Sequence, residues 1–116
     1  MSMGKRVLVV EDHADSAELL SRVLVRHGHT VSVARTAADA MALCRAATFD
    51  VLLCDIGLPD LSGLELVQLV KRECPNLRAI AVSGYGMRGD VDAAIRAGFD
   101  AHLLKPVTVE QITNYL

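Results

Sequence analysis

The chain has 116 residues, 52% of them hydrophobic and 22% charged, the size of one domain that buries about two-thirds of its unfolded surface and far from the composition of a disordered chain. Twelve Lys and Arg against 14 Asp and Glu give a net charge of -2, which lacks the basic excess that direct nucleic-acid binding requires. The longest apolar runs, such as 7–10 and 51–54, are four residues long, against the roughly 20 needed to span a bilayer, and no secretory segment is visible. Three cysteines (Cys44, Cys54, Cys74) without CxxC spacing point away from a disulfide framework or a zinc site and towards a reducing, cytoplasmic setting. Cys44 and Cys54, among apolar neighbours, read as small core residues.

In chain order, Met1 to Gly4 is expected to be a disordered start or an appended remnant, with a single domain over 5–116. Arg6 to Val10, Thr30 to Ala34, Asp50 to Cys54, Arg78 to Val82 and Ala101 to Leu104 are short β-rich runs, several of them apolar on both faces. Helix-periodic segments separate them. Ala17, Leu20, Val23 and Leu24 recur at helical spacing and stop at Gly28, predicting the first helix. Thr36 with Asp39, Ser62 with Glu65 and Thr108 with Gln111 carry the capping-box spacing and would open helices two, three and five. Asp90 to Ala97, ending at Gly98, makes a short fourth helix. The last helix reaches only Leu116, short for an element that covers a sheet edge, and reads as truncated. Strand and helix alternate throughout, which predicts an α/β fold with a parallel sheet.

In such a sheet the ligand site lies beyond the carboxyl ends of the strands. There the chain places Glu11 and Asp12 after strand one, Asp55 after strand three, Ser83 and Gly84 after strand four, and Lys105 and Pro106 after strand five. Taken singly, such carboxylates often cap helices or face solvent: Asp12 or Asp15 fits the N-cap of the first helix, and Asp15, Asp50, Asp60 and Asp100 are assigned no site role. As a set, Glu11, Asp12 and Asp55 would repel one another unless a cation compensates. Oxygen donors, with no His or Cys at metal spacing nearby, favour Mg2+. Asp12 and Asp55 are the expected direct ligands, Glu11 acts through water, and the Gly57 backbone carbonyl is a candidate third protein ligand. The Lys105 ammonium, the Ser83 hydroxyl and glycine N–H groups opposite would neutralise a phosphoryl group. An Asp at such a place can itself accept phosphorus as an acyl phosphate. Pro106 fixes the chain after Lys105, with a cis bond as one way to aim the lysine over the site.

These residues come in four ordered blocks: Val7 to Asp12; Asp50 to Gly63 with Asp55, Pro59 and Gly63; Ala81-Val-Ser83-Gly84; and Gly98 to Pro106 with Lys105. In this order they resemble the receiver domain of two-component response regulators, over nearly the whole chain from Lys5. The resemblance implies a flavodoxin-like doubly wound sheet of strand order 2-1-3-4-5. It implies Asp55 as phosphoacceptor from a phosphohistidine of a histidine kinase or histidine phosphotransfer domain, Glu11 and Asp12 as the acidic pair for Mg2+, and Ser83 and Lys105 as partners of the phosphoryl group. It also implies an output through the face of helix four, strand five and helix five, acting on an output or kinase domain outside this chain. Arg88, Asp92, Arg96 and Tyr115 are candidate contacts on that face.

One position departs from the family pattern: the aromatic switch residue three before the lysine is His102, which is expected to be a half-buried imidazole more than a pH sensor. Gly57, Gly84 and Tyr85 occupy positions expected to set access to the phosphoryl group. The Gly98 to Val107 block looks like receivers attached to hybrid histidine kinases. An Asp-nucleophile phosphatase is disfavoured because Gly57 stands where its second Asp is expected. A flavodoxin-like electron carrier is disfavoured by the acidic first loop, and a phosphorylation-independent interaction module by the complete residue set.

Overall fold

The computed structural model describes residues 4–84 and 88–116, with the side chains of 88–90 left aside. Five strands alternate with five helices: β1 (Arg6–Val10), α1 (Ala14–Arg26), β2 (Thr30–Ala34), α2 (Ala37–Ala46), β3 (Val51–Asp55), α3 (Gly63–Glu73), β4 (Arg78–Ser83), α4 (Arg88–Ala97), β5 (Ala101–Leu104) and α5 (Val109–Thr113). All pairings are parallel, in the order β2-β1-β3-β4-β5, the expected flavodoxin-like arrangement. β3 and β4 each extend one residue further than the apolar runs suggested, because Asp55 and Ser83 still pair in register with Val82 and Leu104. Ladder pairing ends a strand here, whereas hydrophobicity ends one residue earlier.

Alternation along the central strands builds a core on each face. Leu8, Val10, Leu52, Cys54, Ala79 and Ala81 point to the side closed by α2, α3 and α4, where Ala40, Leu66, Val67, Val70 and Ala94 meet them. Val7, Val9, Leu53, Ile80, Val82 and Leu103 face the other side, closed by Leu24 of α1 and Ile112 of α5. Cys44 and Cys54 are buried as expected, and burial pushes the Cys44 thiol up to about 11.

The helix ends follow local chemistry. Thr108 and Gln111 form the full reciprocal box, while Thr36 and Ser62 cap with their hydroxyls alone, on Asp39 N and Leu64 N. Gly28 and Gly98 terminate α1 and α4 at φ 91° and 125°, backbone that favours glycine. α1 departs from expectation: its N-cap is His13, with no side-chain cap bond, so neither Asp12 nor Asp15 caps it. Gly63, the first residue of α3, packs so closely that an added Cβ would stand 2.7 Å from the Asp55 carbonyl oxygen and 2.8 Å from Ile56 Cα. Both neighbours are backbone and cannot give way. Gly63→Ala is therefore expected to cost about 1–3 kcal/mol, measured as a lower urea midpoint; an unchanged midpoint would show that the loop after β3 can shift freely.

Candidate functional site

The sheet order makes the site. β1 lies between β2 and β3, so the connection leaving β1 towards β2 and the one leaving β3 towards β4 run in opposite directions and a crevice opens at the strand ends. Val10 is in register with Cys54, which sets Glu11 and Asp12 beside Asp55. Lys105 N–H donates to the Ser83 carbonyl at 2.8 Å, drawing the end of β5 to β4. The Lys105-Pro106 bond is cis.

Lys105 Nζ donates to Glu11 Oε1 at 2.8 Å and to Asp55 Oδ2 at 2.9 Å. The Gly57 N–H donates to Asp55 Oδ1 at 3.0 Å. Burial raises the Glu11 carboxyl above its ordinary value, Asp55 adds to the rise, and Lys105 opposes it. Asp55 feels the same burial, but its hydrogen bonds with Glu11, Lys105 and the Gly57 N–H outweigh it and hold the carboxyl below the ordinary value. Burial alone would discourage the Lys105 charge, yet its two carboxylate partners raise its pKa.

Two oxygens at this crevice, Glu11 Oε2 and Asp12 Oδ1, are buried without a hydrogen-bond partner among the described residues. Glu11 is only 5% exposed. An orphaned carboxylate oxygen at such depth is costly unless something positive meets it, and ligand atoms of Glu11, Asp12, His13 and Asp55 lie within 4.8 Å of one another. The donor set fits a divalent cation. The sequence has no His at metal spacing, yet His13, the residue after the acidic pair, joins the cluster: its Nδ1 stands 3.3 Å from Asp12 Oδ1 and 4.0 Å from Glu11 Oε2.

Ser83 is buried at the end of β4, and its hydroxyl lies 2.9 Å from Nε2 of half-buried His102. The two are thus in direct contact. Gly84 is exposed beside them, and a Cβ there would meet nothing within 4 Å among the described residues. Tyr85 lies outside the described residues, as does the side chain of Arg88. On the α4 face, Arg96 Nε donates to the Asp92 carbonyl at 3.3 Å.

Two further residues brace the loops around the crevice. The Arg35 guanidinium donates twice to the Asp12 carbonyl, at 3.2 and 2.8 Å, a long-range bond that no motif announces. Asp60, expected to be merely solvated, accepts from Ala37 N at 2.9 Å and Ala38 N at 3.1 Å. It thereby pins the loop after β3 to the N-terminus of α2, where a carboxylate is favoured. Those backbone bonds lower the Asp60 carboxyl. A depressed carboxyl stabilises the fold above its unfolded value and loses that contribution as pH falls through the folded value. Asp60→Ala is accordingly expected to lower Tm at neutral pH, with the difference from the native chain vanishing in acid; a pH-independent difference would assign the loss to packing instead. Asp50 and Asp100 have structural partners, Arg6 N and Ala79 N with Lys71.

A five-stranded parallel sheet of this order, with carboxylates and a lysine at its switch point, places the chain among α/β signalling domains, and the family model described as response regulator receiver domain matches residues 7–116. The chain belongs to the response regulator receiver family. It is 37% identical over 110 residues to a response regulator receiver protein of Anaeromyxobacter sp. strain Fw109-5, covering 95% of this chain and 46% of that one, so it spans about half the length of that relative. It is 32% identical to the polar-differentiation response regulator DivK of Brucella ovis, covering 98% of each. Among solved structures, a CheY-like receiver domain protein from Methanospirillum hungatei superposes with TM-score 0.89 at 31% identity, over 97% of this chain and 90% of that one. A response regulator from Burkholderia pseudomallei, solved with a phosphorylated aspartic acid, a calcium ion and citrate, superposes with TM-score 0.91 at 32% identity, over 97% of this chain and 66% of that one. Among the described residues, no helix is long and apolar enough to cross a membrane.

Proposed function

We propose that Asp55 accepts a phosphoryl group from a phosphohistidine on a histidine kinase or a histidine phosphotransfer domain, in a Mg2+-dependent reaction. The observation that carries this reading is the Lys105 ammonium held between Glu11 and Asp55 beside two buried carboxylate oxygens without partners. An Asp55 oxygen attacks phosphorus, the phosphorus–nitrogen bond to the donor imidazole breaks, and an acyl phosphate forms. Asp55 suits this role because its carboxyl sits below the ordinary value and is ionised at neutral pH. Lys105 is positioned to neutralise charge on the transferring oxygens. Glu11, Asp12, Asp55 and the Gly57 carbonyl would hold Mg2+, which when bound supplies charge neutralisation at the phosphoryl oxygens. The phosphorylated aspartic acid of the Burkholderia relative supports the same assignment.

The Ser83 hydroxyl is the group proposed to receive the phosphoryl group from the β4 side. Its bond to His102 would then be exchanged for one to phosphate, so that His102 acts as the switch residue and passes the change to the surface of α4, β5 and α5. That surface regulates an output or kinase domain, or the phosphoryl group is relayed onward, in a cytoplasmic setting. Intact mass after incubation with acetyl phosphate, with and without Mg2+, and then with a phosphorylated histidine phosphotransfer domain, tests the reading. A Mg2+-dependent gain of one phosphoryl group is the expected result. No gain from either donor in a folded protein would leave a phosphorylation-independent interaction module. A Cβ at Gly57 would stand 3.9 Å from Asp55 Oδ1, so a side chain at this position borders the carboxylate. Gly57→Arg is expected to alter the lifetime of the phosphorylated form, and an unchanged decay rate would remove Gly57 from the access set.

A further inference from the structure

We infer that His13 supplies an imidazole nitrogen to the cation site at Glu11, Asp12 and Asp55, so that this site takes a late first-row divalent ion, such as Ni2+, by one more donor than it offers Mg2+. The inference rests on the cation-site reading above and adds a ligand and a metal class to it. Two donors cis to each other at about 2.1 Å from an octahedral ion stand about 3 Å apart, and two trans donors about 4.2 Å. His13 Nδ1 lies 3.3 Å from Asp12 Oδ1 and 4.0 Å from Glu11 Oε2, close to those spacings. The approach of His13 does not satisfy Asp12 Oδ1 as a hydrogen bond, for that oxygen is buried and has no such partner, and neither has Glu11 Oε2. Both residues belong, with His13 and Asp55, to a group whose ligand atoms lie within 4.8 Å of one another, near enough to share one cation.

His13 is also free to adjust. It is the N-cap of α1 but makes no side-chain cap bond, and its side chain is 72% exposed, so turning its ring towards an ion breaks no hydrogen bond of the fold. Imidazole nitrogen suits Ni2+, Cu2+ and Zn2+ and adds little for Mg2+, which holds oxygen ligands and water. Neighbouring groups do not offer the same donor. The Cys54 thiol beside Asp55 donates to the Asp55 carbonyl at 3.2 Å and is pushed far up by burial, which opposes a thiolate ligand. His27 and His29, beyond the far end of α1, engage the Val23 carbonyl and Lys5 N–H through their Nδ1 atoms and serve as distant controls.

Isothermal titration of the full chain with Mg2+ and with Ni2+, on the native protein, His13→Ala and the His27→Ala/His29→Ala double variant, tests this. His13→Ala is expected to weaken Ni2+ binding about tenfold or more and to leave Mg2+ affinity within about twofold, with the double variant matching the native protein. Paramagnetic broadening of the His13 ring signals by Ni2+ should appear in the native chain. Equal Ni2+ affinity in the native and His13→Ala proteins, or an equal loss for both ions, would overturn the role of His13 while leaving the oxygen site intact. Failure of the native protein to bind either ion would overturn the cation-site reading itself.

Discussion

Asp55→Asn is expected to stay at its unmodified mass under conditions that add one phosphoryl group to the native chain. The amide nitrogen and carbonyl oxygen that replace the carboxylate cannot form the acyl phosphate, and the loss should be complete. The variant should nevertheless fold. The residue ends β3, its side chain is 12% exposed, and its loss of charge removes a repulsion that adds to the effect of burial on Glu11. A mass gain that persists in Asp55→Asn would move the phosphoacceptor elsewhere on the crevice, with Asp12 as the next candidate.

Lys105→Ala is expected to have two separable effects. Phosphorylation at a fixed donor concentration should fall about 100-fold or more, the scale lost when one preorganised charge is taken from a transferring group. Stability should fall by about 1–3 kcal/mol, because Glu11 Oε1 and Asp55 Oδ2 would lose the one donor that serves both and remain buried. Glu11→Gln tests whether that second effect is electrostatic. The Glu11 carboxyl is raised in the fold, so its contribution favours the native state at acid pH, is fully present below the unfolded value, and is lost as pH rises through the folded value. At neutral pH Glu11 therefore strains the site, and Glu11→Gln should raise Tm in the native background. In the Lys105→Ala background the gain should be larger, since nothing then neutralises the carboxylate pair. Strictly additive effects in this double-mutant cycle, measured by urea unfolding, would show that the three groups are not coupled.

The strain is tied to the proposed function. In the proposed function, a site that holds Lys105 between Glu11 and Asp55, with Asp12 beside them, meets first a visitor that brings positive charge and then one that brings negative charge. Orphaned oxygens on Glu11 and Asp12 await the first, and the Lys105 ammonium is placed for the second.

Local chemistry by itself determined much of this protein. The 2-residue alternation and double-sided burial of Val7 to Val10 and Val51 to Cys54, the hydroxyl caps at Thr36, Ser62 and Thr108, and the glycine stops at Gly28 and Gly98 all depend on neighbours within a few positions, so they are legible along the chain. That Glu11, Asp12, Asp55, Ser83 and Lys105 share one edge was legible for a related reason: a parallel sheet sends every strand's carboxyl end to the same side, so the residues proposed for the site follow once the strands are found. Tertiary structure alone decided the rest. Arg35 reaches Asp12 across 23 positions and Asp60 reaches Ala37 across 23, long-range hydrogen bonds whose partners share no periodicity. The turn of the first loop, which makes His13 rather than Asp12 or Asp15 the cap of α1, brings an imidazole to a carboxylate cluster that the sequence pattern presents as oxygen donors alone. Side-chain direction at a loop depends on backbone dihedrals that the packed elements on either side impose, and composition carries no record of them.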